Sequence, residues 1–276
     1  MNQSYSETII EPANRLSFNF KELWKYRELL YFFTWRDIKI KYKQTVLGFL
    51  WAILQPLLMM GIFTFFFGRA LNIPSQNLPY PIYVFSGLLI WNLFSTGLTN
   101  ASNSMVNNAN IIKKIYFPRL VIPISSVAVA VFDFLMAFVL FTVLLVIYHQ
   151  PIAWFAIVIW PIALGWAVIA TLGLGAWLAA LNVKYRDFRY VIPFLVQVLF
   201  FLTPVIYPVS LLQYPVLQYL LAASPMYAAI ELFRYPLTNQ ITSLPFFYVS
   251  LACGMLLLLV GLFYFKKTED FFADFA

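Results

Sequence analysis

Hydrophobic residues along this chain gather in six long runs separated by shorter polar stretches. The runs are Val46–Gly68, Pro81–Met105, Pro118–Tyr148, Trp154–Asn182, Val191–Tyr207 and Leu244–Phe265. A helix rises about 1.5 Å per residue, so roughly 20 apolar residues cross the hydrocarbon core of a bilayer. Each run predicts a transmembrane helix, the fifth lying near the short limit. The predicted fold class is all-α, a polytopic membrane protein of six spans. Residues 1–45 form an N-terminal segment, 46–265 the transmembrane unit and 266–276 a C-terminal tail.

Ahead of the first run the pattern becomes that of a helix lying along a membrane surface. Asn19 is placed to cap it, Glu22 three residues on completes a capping box, and Phe18 can staple onto Leu23. Phe20, Leu23, Trp24, Leu30 and Tyr31 form an apolar arc opposite Lys21, Glu22, Lys25 and Glu28. Arg27 interrupts that arc and must reach toward headgroups. An interfacial anchor and a mechanical element both fit this pattern.

Pro208–Ser243 is the other unusual piece. Leu211, Leu212, Val216, Leu217, Leu220 and Leu221 make it too apolar for an exposed loop. Pro208, Pro215, Pro225 and Pro236 cut it into pieces too short to cross. It predicts a re-entrant helical hairpin dipping into the outer leaflet. Broken backbone at membrane depth needs protein or a watery cavity around it, which places the hairpin beside a translocation path.

Composition supports lipid as the solvent: 62% of residues are hydrophobic, only 11% are charged, and the mean hydropathy is +0.80. Soluble domains carry roughly a quarter charged residues. The net charge of +7 is a topology signal, because basic residues are retained on the cytoplasmic side. Sixteen of the eighteen fall in the N-terminal segment, around Lys113, Lys114 and Arg119, around Lys184, Arg186 and Arg189, or at Lys266 and Lys267. Arg69 and Arg234 remain for the other face. Both termini are therefore expected in the cytoplasm. Cations interleaved with spans suit anionic headgroups or a cytoplasmic partner rather than nucleic acid. The first 45 residues lack the pattern of a signal peptide, so the first span is expected to act as its own insertion signal.

Candidate chemistry on the chain is sparse. No G-x-x-x-x-G-K-[ST] phosphate loop occurs, and one histidine (His149) with one cysteine (Cys253) gives neither a metal cluster nor a disulfide. Asp133 is the single acid deep in a predicted span. Such residues face protein or water, and with no basic group at matching depth in the other spans an ion-coupling relay is disfavoured. Ala167, Thr171, Gly175 and Ala179 recur every four residues and predict a close helix approach. Pro56, Pro123, Pro161, Pro193 and Pro204 predict breaks or kinks. Phe63, Phe66 and Phe67, with Phe200, Phe201 and Tyr207, lie in the outer halves of the first and fifth spans. Aromatic faces suit the C–H face of a sugar ring, and equally an interfacial belt.

The stretch from Arg36 to Pro56, RDIKIKYKQTVLGFLWAILQP, resembles the opening signature of ABC-type polysaccharide exporter permeases. These subunits export O-antigen, teichoic acid and related lipid-linked glycans. IKKIYFPR (112–119), Tyr185-Arg-Asp187 followed by Pro193, Phe201, Pro204 and Tyr207, and KTEDFFAD (267–274) are similar to family motifs in the same order. Ser224-Pro-Met226 departs from the asparagine common before that Pro-Met.

The resemblance implies a homodimer of six-span subunits in a bacterial cytoplasmic (inner) membrane, docked on two copies of a cytoplasmic ABC ATPase. ATP and Mg would reside on that partner, leaving no cofactor on this chain. The N-terminal helix would be the gate helix, and Ile111, Lys113, Lys114, Tyr116, Pro118 and Arg119 the ATPase-coupling element. Arg36, Lys39 and Lys43, spaced i, i+3, i+7, would meet the pyrophosphate of a lipid-linked glycan or membrane phospholipid headgroups. ATP binding by the ATPase would separate the permease copies along a channel bounded by the first and fifth spans. Two alternatives stay open: an exporter of the same architecture for a drug or small lipid, and a membrane-embedded transferase. The second would need acids brought together from Asp37, Asp133 and Asp187, which are scattered in sequence. A purely structural scaffold would predict no export defect on deletion.

Overall fold

The structure, a computed structural model, describes residues 20–43, 50–185, 187–269 and 272. Two helices, α1 (Phe20–Lys25) and α2 (Arg27–Lys43), precede the bundle. The long elements are α3 (Leu50–Phe63, continuing as a π-helix over Thr64–Ala70), α4 (Tyr80–Asn107), α6 (Val121–Ile147), α7 (Ala156–Lys184), α8 (Phe188–Leu202) and α11 (Leu244–Thr268). Between them lie α5 (Ala109–Ile112), α9 (Pro215–Ala222) and α10 (Pro225–Thr238). The described residues contain no strand.

Among the described residues, five helices are long and apolar enough to cross a bilayer: Ile53–Ala70, α4, α6, α7 and α11. With 15 residues, α8 reaches roughly 22 Å, short of the ~30 Å hydrocarbon core. Together with residues 203–206 it carries the chain from one end of α4 to the other. Arg189 joins the wall formed by the C-terminal turns of α4, while the Ile206 carbonyl accepts from the Tyr80 hydroxyl at the N-terminal end of α4, at 2.8 Å. Its helix runs over 188–202 where the apolar run predicts 191–207. Pro204 explains the early stop, because the residue before proline is driven to extended backbone, and Thr203 has ψ 132°.

The predicted re-entrant hairpin is α9 and α10, bent by 85°. Its broken backbone is satisfied by neighbours, as membrane depth demands. The Ser250 hydroxyl donates to the Ser224 carbonyl (2.6 Å) and accepts from the Ala228 amide (2.9 Å). The indoles of Trp160 and Trp166 donate to the carbonyls of Phe233 and Pro225. Arg234, expected at an outer surface, is instead buried: its guanidinium lies 3.7 Å from the Tyr83 ring centre and donates to the Ser86 hydroxyl and the Tyr83 and Val205 carbonyls. Glu231 of the hairpin is buried too; its carboxylate accepts from the Thr242 amide and hydroxyl.

At the centre of the bundle is α4, buried by α6 on one side and α7 on the other. Ala167, Thr171, Gly175 and Ala179 are all buried, and this stripe meets α4. A Cβ on Gly175 would stand 2.9 Å from that of Ala101. On another side of α7, a Cβ on Gly173 would stand 2.5 Å from the Leu258 Cα of α11, so only hydrogen fits there. Small residues thus let α7 touch two helices at backbone distance.

A second, smaller core closes the end where the basic residues gather. It joins Phe33 of α2, Ile112 and Phe117, the start of α6, the end of α7 and Phe265 with Phe272. Leu23 and Leu30 pack against it, whereas Trp24 and Tyr31 point outward, so the predicted apolar arc is divided between protein and surroundings. Each pair is seven residues apart and so keeps its face across the break at Tyr26 between α1 and α2, Leu23 and Leu30 inward, Trp24 and Tyr31 one position on and outward. The proposed cap at Asn19, the Phe18 staple, Arg186 and most of the C-terminal tail lie outside the described residues.

Candidate functional site

At the basic end a cavity of about 1220 Å³ opens between α2, the last turns of α4, and the starts of α6 and α8. Its main wall is a polar ladder on α4: Ser95, Thr96, Thr99, Asn100, Asn103, Ser104, Asn107 and Asn108. These positions recur at steps of three and four, hence on one helix face. Several are satisfied by the helix itself. Thr96 and Thr99 donate to the carbonyls of Asn92 and Ser95 at 2.5 and 2.7 Å, and Asn103 and Asn108 to those of Thr99 and Ser104 at 2.9 and 2.8 Å. Their remaining lone pairs and N–H groups are left for a polar ligand. From α7, Asn182 braces the ladder, donating to the Ser102 carbonyl and the Asn103 side chain, both at 3.0 Å.

The opposite wall is α2, which contributes Arg36, Asp37, Ile40 and Lys41. Arg36 donates to Asp37 (2.8 Å) and to the Asn108 side chain (2.9 Å), tying α2 to the end of α4. Lys41 pairs with Asp133 of α6, and the Tyr42 hydroxyl donates to the same carboxylate. Burial, then the adjacent Asp133 carboxylate, raises the Tyr42 hydroxyl above its ordinary pKa, so it stays a donor. The partner of Asp133 therefore comes from the surface helix, where a search among the spans could not find it. Lys39 lies over the Trp35 ring at 5.3 Å and Lys43 is exposed; neither lines the cavity. Arg189 of α8 does. A smaller pocket of about 170 Å³ shares Lys41, Ser95 and Thr96 with the cavity and continues past Asn92 and Asp133 to Trp51, Gln55 and Pro56 of α3.

Toward the opposite end stands an aromatic cluster. Phe200 stacks on Phe63 at 5.8 Å and meets Trp91 edge-on at 5.4 Å, joining α8, α3 and α4; Phe67 lies 5.8 Å from Phe63. Phe201 is 59% exposed and Phe66 54% exposed, so each projects from the cluster. The Tyr207 hydroxyl donates to the Phe201 carbonyl. Sequence reasoning misses Trp91, because it sits in the second span rather than the first or fifth.

Residues 111–119 form an exposed loop on two anchors. Ile112 and Phe117 are buried in the small core, while Lys113, Lys114, Ile115 and Tyr116 face outward. Ile111 and Pro118 are half-buried at its flanks. Arg119 belongs to the base rather than the tip. Its amide donates to Glu269 at 3.3 Å, its guanidinium lies 6.0 Å from the Phe272 ring, and Glu269 pairs with Lys266 at 2.5 Å.

Spans packed around a hydroxyl- and amide-lined vestibule define a multi-pass membrane permease. Residues 28–238 match the ABC-2 type transporter family, and the chain belongs to that family. It is 34% identical to the O-antigen export system permease protein RfbA of Myxococcus xanthus, over 70% of this chain and 73% of that one. It is 30% identical to the protein of the same description from Klebsiella pneumoniae, over 90% and 94%. The polysialic acid transport protein KpsM of Escherichia coli is 25% identical, over 72% and 77%.

Proposed function

We propose that this chain is the transmembrane subunit of an ATP-driven exporter that moves lipid-linked polysaccharide of O-antigen type across a bacterial cytoplasmic membrane. It works as a homodimer on two copies of a separate ABC ATPase, with both termini in the cytoplasm. The observation that carries this reading is the polar ladder of α4 opening at the basic end and leading toward aromatics on α3, α4 and α8. Amides and hydroxyls exchange hydrogen bonds with sugar hydroxyls, and aromatic faces offer stacking without a deep trap. A hydrophobic drug would leave that ladder desolvated and unpaired, which is costly. The relatives named for O-antigen and polysialic acid transport support the same cargo class.

In mechanism, the glycan enters from the cytoplasm with its pyrophosphate against the basic rim, where Arg36 stands in the vestibule wall. Lys39 and Lys43, outside the cavity, meet the headgroups of surrounding lipid. The partner ATPase bears on Lys113, Lys114 and Tyr116, and the buried Phe117 passes the push to α2 through Phe33. The permease copies then separate along α3 and α8, and the glycan passes Phe63, Phe66, Phe67, Phe200, Phe201 and Tyr207. The test is deletion of this chain in its host and reconstitution of the complex in liposomes. Loss of surface polysaccharide, restored by the wild-type chain, and ATP hydrolysis stimulated by long glycan are expected. Stimulation by small lipids alone, with surface polysaccharide unchanged, would select the other exporter class.

A further inference from the structure

The ion pair of Lys41 and Asp133 lies where the vestibule meets the smaller pocket. Lys41 lines both spaces, Asp133 only the inner one, and Ser95 and Thr96 form the shared wall. The two charges come from different elements: Lys41 from α2, which precedes the bundle, Asp133 from the long apolar helix α6. Their exposure is also unequal. The lysine side chain is 41% exposed and the aspartate 15%. The cation therefore presents itself to an entering ligand, while the acid is held behind it by the Tyr42 hydroxyl. Around this point the vestibule carries Arg36, Lys41 and Arg189 against a single acid, Asp37. The site favours an anion, and Asp133 is the group now satisfying one of its exposed cations.

We propose that Lys41 is the specificity-determining anion contact of the vestibule and that Asp133 is its resting counter-ion, displaced when a phosphate or pyrophosphate ester binds. This rests on the export reading above and adds to it the residue that senses cargo. Displacement exchanges one ion pair for another, so the lysine is never left bare at membrane depth. It also removes one of the two ties between α2 and α6: Lys41 leaves the carboxylate, which the Tyr42 hydroxyl keeps satisfied. Cargo recognition and loosening of the helix are then one event.

The experiment uses the full permease–ATPase complex in phosphatidylcholine liposomes, with ATP hydrolysis as readout. The probes are farnesyl pyrophosphate, farnesol, and phosphatidylglycerol added to the bilayer. The wild type should be stimulated by farnesyl pyrophosphate and not by farnesol; stimulation by phosphatidylglycerol alone would assign the site to ordinary headgroups and overturn its cargo role. Asp133→Asn should bind farnesyl pyrophosphate roughly fivefold more tightly, since the competing charge is gone. Lys41→Gln should lose the response and Lys41→Arg keep it.

The exchanged pair, Lys41→Asp with Asp133→Lys, separates sensing from mere bracing. It restores an ion pair, so the complex should assemble at wild-type level, yet it puts an acid at the vestibule and should not respond. A normal response from the exchanged pair, or from Lys41→Gln, overturns the proposal while leaving polysaccharide export in place. A wild type that exports no polysaccharide in cells overturns the export reading instead.

Discussion

The ring of Phe117 lies 5.8 Å from that of Phe33, tilted by 53°. One belongs to the base of the exposed basic loop, the other is the buried residue of α2. This is a direct side-chain path from the loop tip to a wall of the vestibule. Phe117→Ala removes it and leaves the outward Lys113, Lys114 and Tyr116 unchanged. The substitution should cost about 3 kcal/mol of local packing. The complex should still assemble, with ATP hydrolysis retained and glycan export reduced at least several-fold. Parallel measurement of both rates in liposomes checks this, and equal losses in the two rates would show that Phe117 merely holds the loop.

Loop cations divide into two roles. Lys113 and Lys114 are exposed, whereas Arg119 is tied to Glu269 and Phe272. Lys113→Ala with Lys114→Ala should leave the thermal unfolding of the purified chain essentially unchanged and weaken ATPase binding. Arg119→Ala keeps the backbone amide's bond to Glu269 and removes only the guanidinium over the Phe272 ring, so it should lower the unfolding temperature slightly. Co-purification of the ATPase and unfolding in detergent read the two effects separately.

Much of this architecture was legible in the apolar runs, because lipid leaves few alternatives to a helix. The small-residue stripe of α7 was legible for the same reason: spacing of four is a surface property of one helix. The vestibule ladder was present too, at residues 92, 95, 96, 99, 100, 103, 104, 107 and 108, but a window averaged for hydropathy hides a polar face on an otherwise apolar helix. Arg234 and Lys41 were beyond reach. Their partners are separated by many residues, and only the packed hairpin and the folded-back α2 bring Tyr83 and Asp133 to them. Pairings that depend on tertiary contact leave no period in the chain.

Arg234 anchors the re-entrant hairpin to α4 and to the segment after α8. Arg234→Met keeps length and apolar stem but leaves the Val205 carbonyl without its side-chain donor and the Tyr83 carbonyl with the Ser86 hydroxyl alone among its side-chain donors. A cost of about 3 kcal/mol is expected, and Arg234→Lys should recover little of it because an ammonium cannot reproduce the planar fork that reaches three acceptors. Protease resistance of the chain in native membranes measures the effect, with new cleavage expected between residues 208 and 243.

Close helix approach predicts opposite outcomes for neighbouring glycines. Gly173→Ala should prevent α7 and α11 from docking, since the added carbon would stand 2.8 Å from the Leu258 amide nitrogen. Gly165→Ala meets nothing within 4 Å on the same helix and should stabilise by about 0.5–1 kcal/mol. Unfolding temperatures in one detergent should move in opposite directions.

Phe200 and Phe201 are adjacent but answer different questions. Phe200 is half-buried between Phe63 and Trp91, so a charge there would disturb packing as well as any path and mix the two effects. Phe201 is 59% exposed, which makes Phe201→Glu tolerable to the fold. If the outer path runs along this face of α8, the acid should block export at normal protein level and normal ATPase assembly, while Phe201→Tyr should preserve it. Surface glycan measured against permease abundance decides the matter. Full export by Phe201→Glu would move the path away from α8 and leave the Phe63–Phe200–Trp91 contact as packing alone.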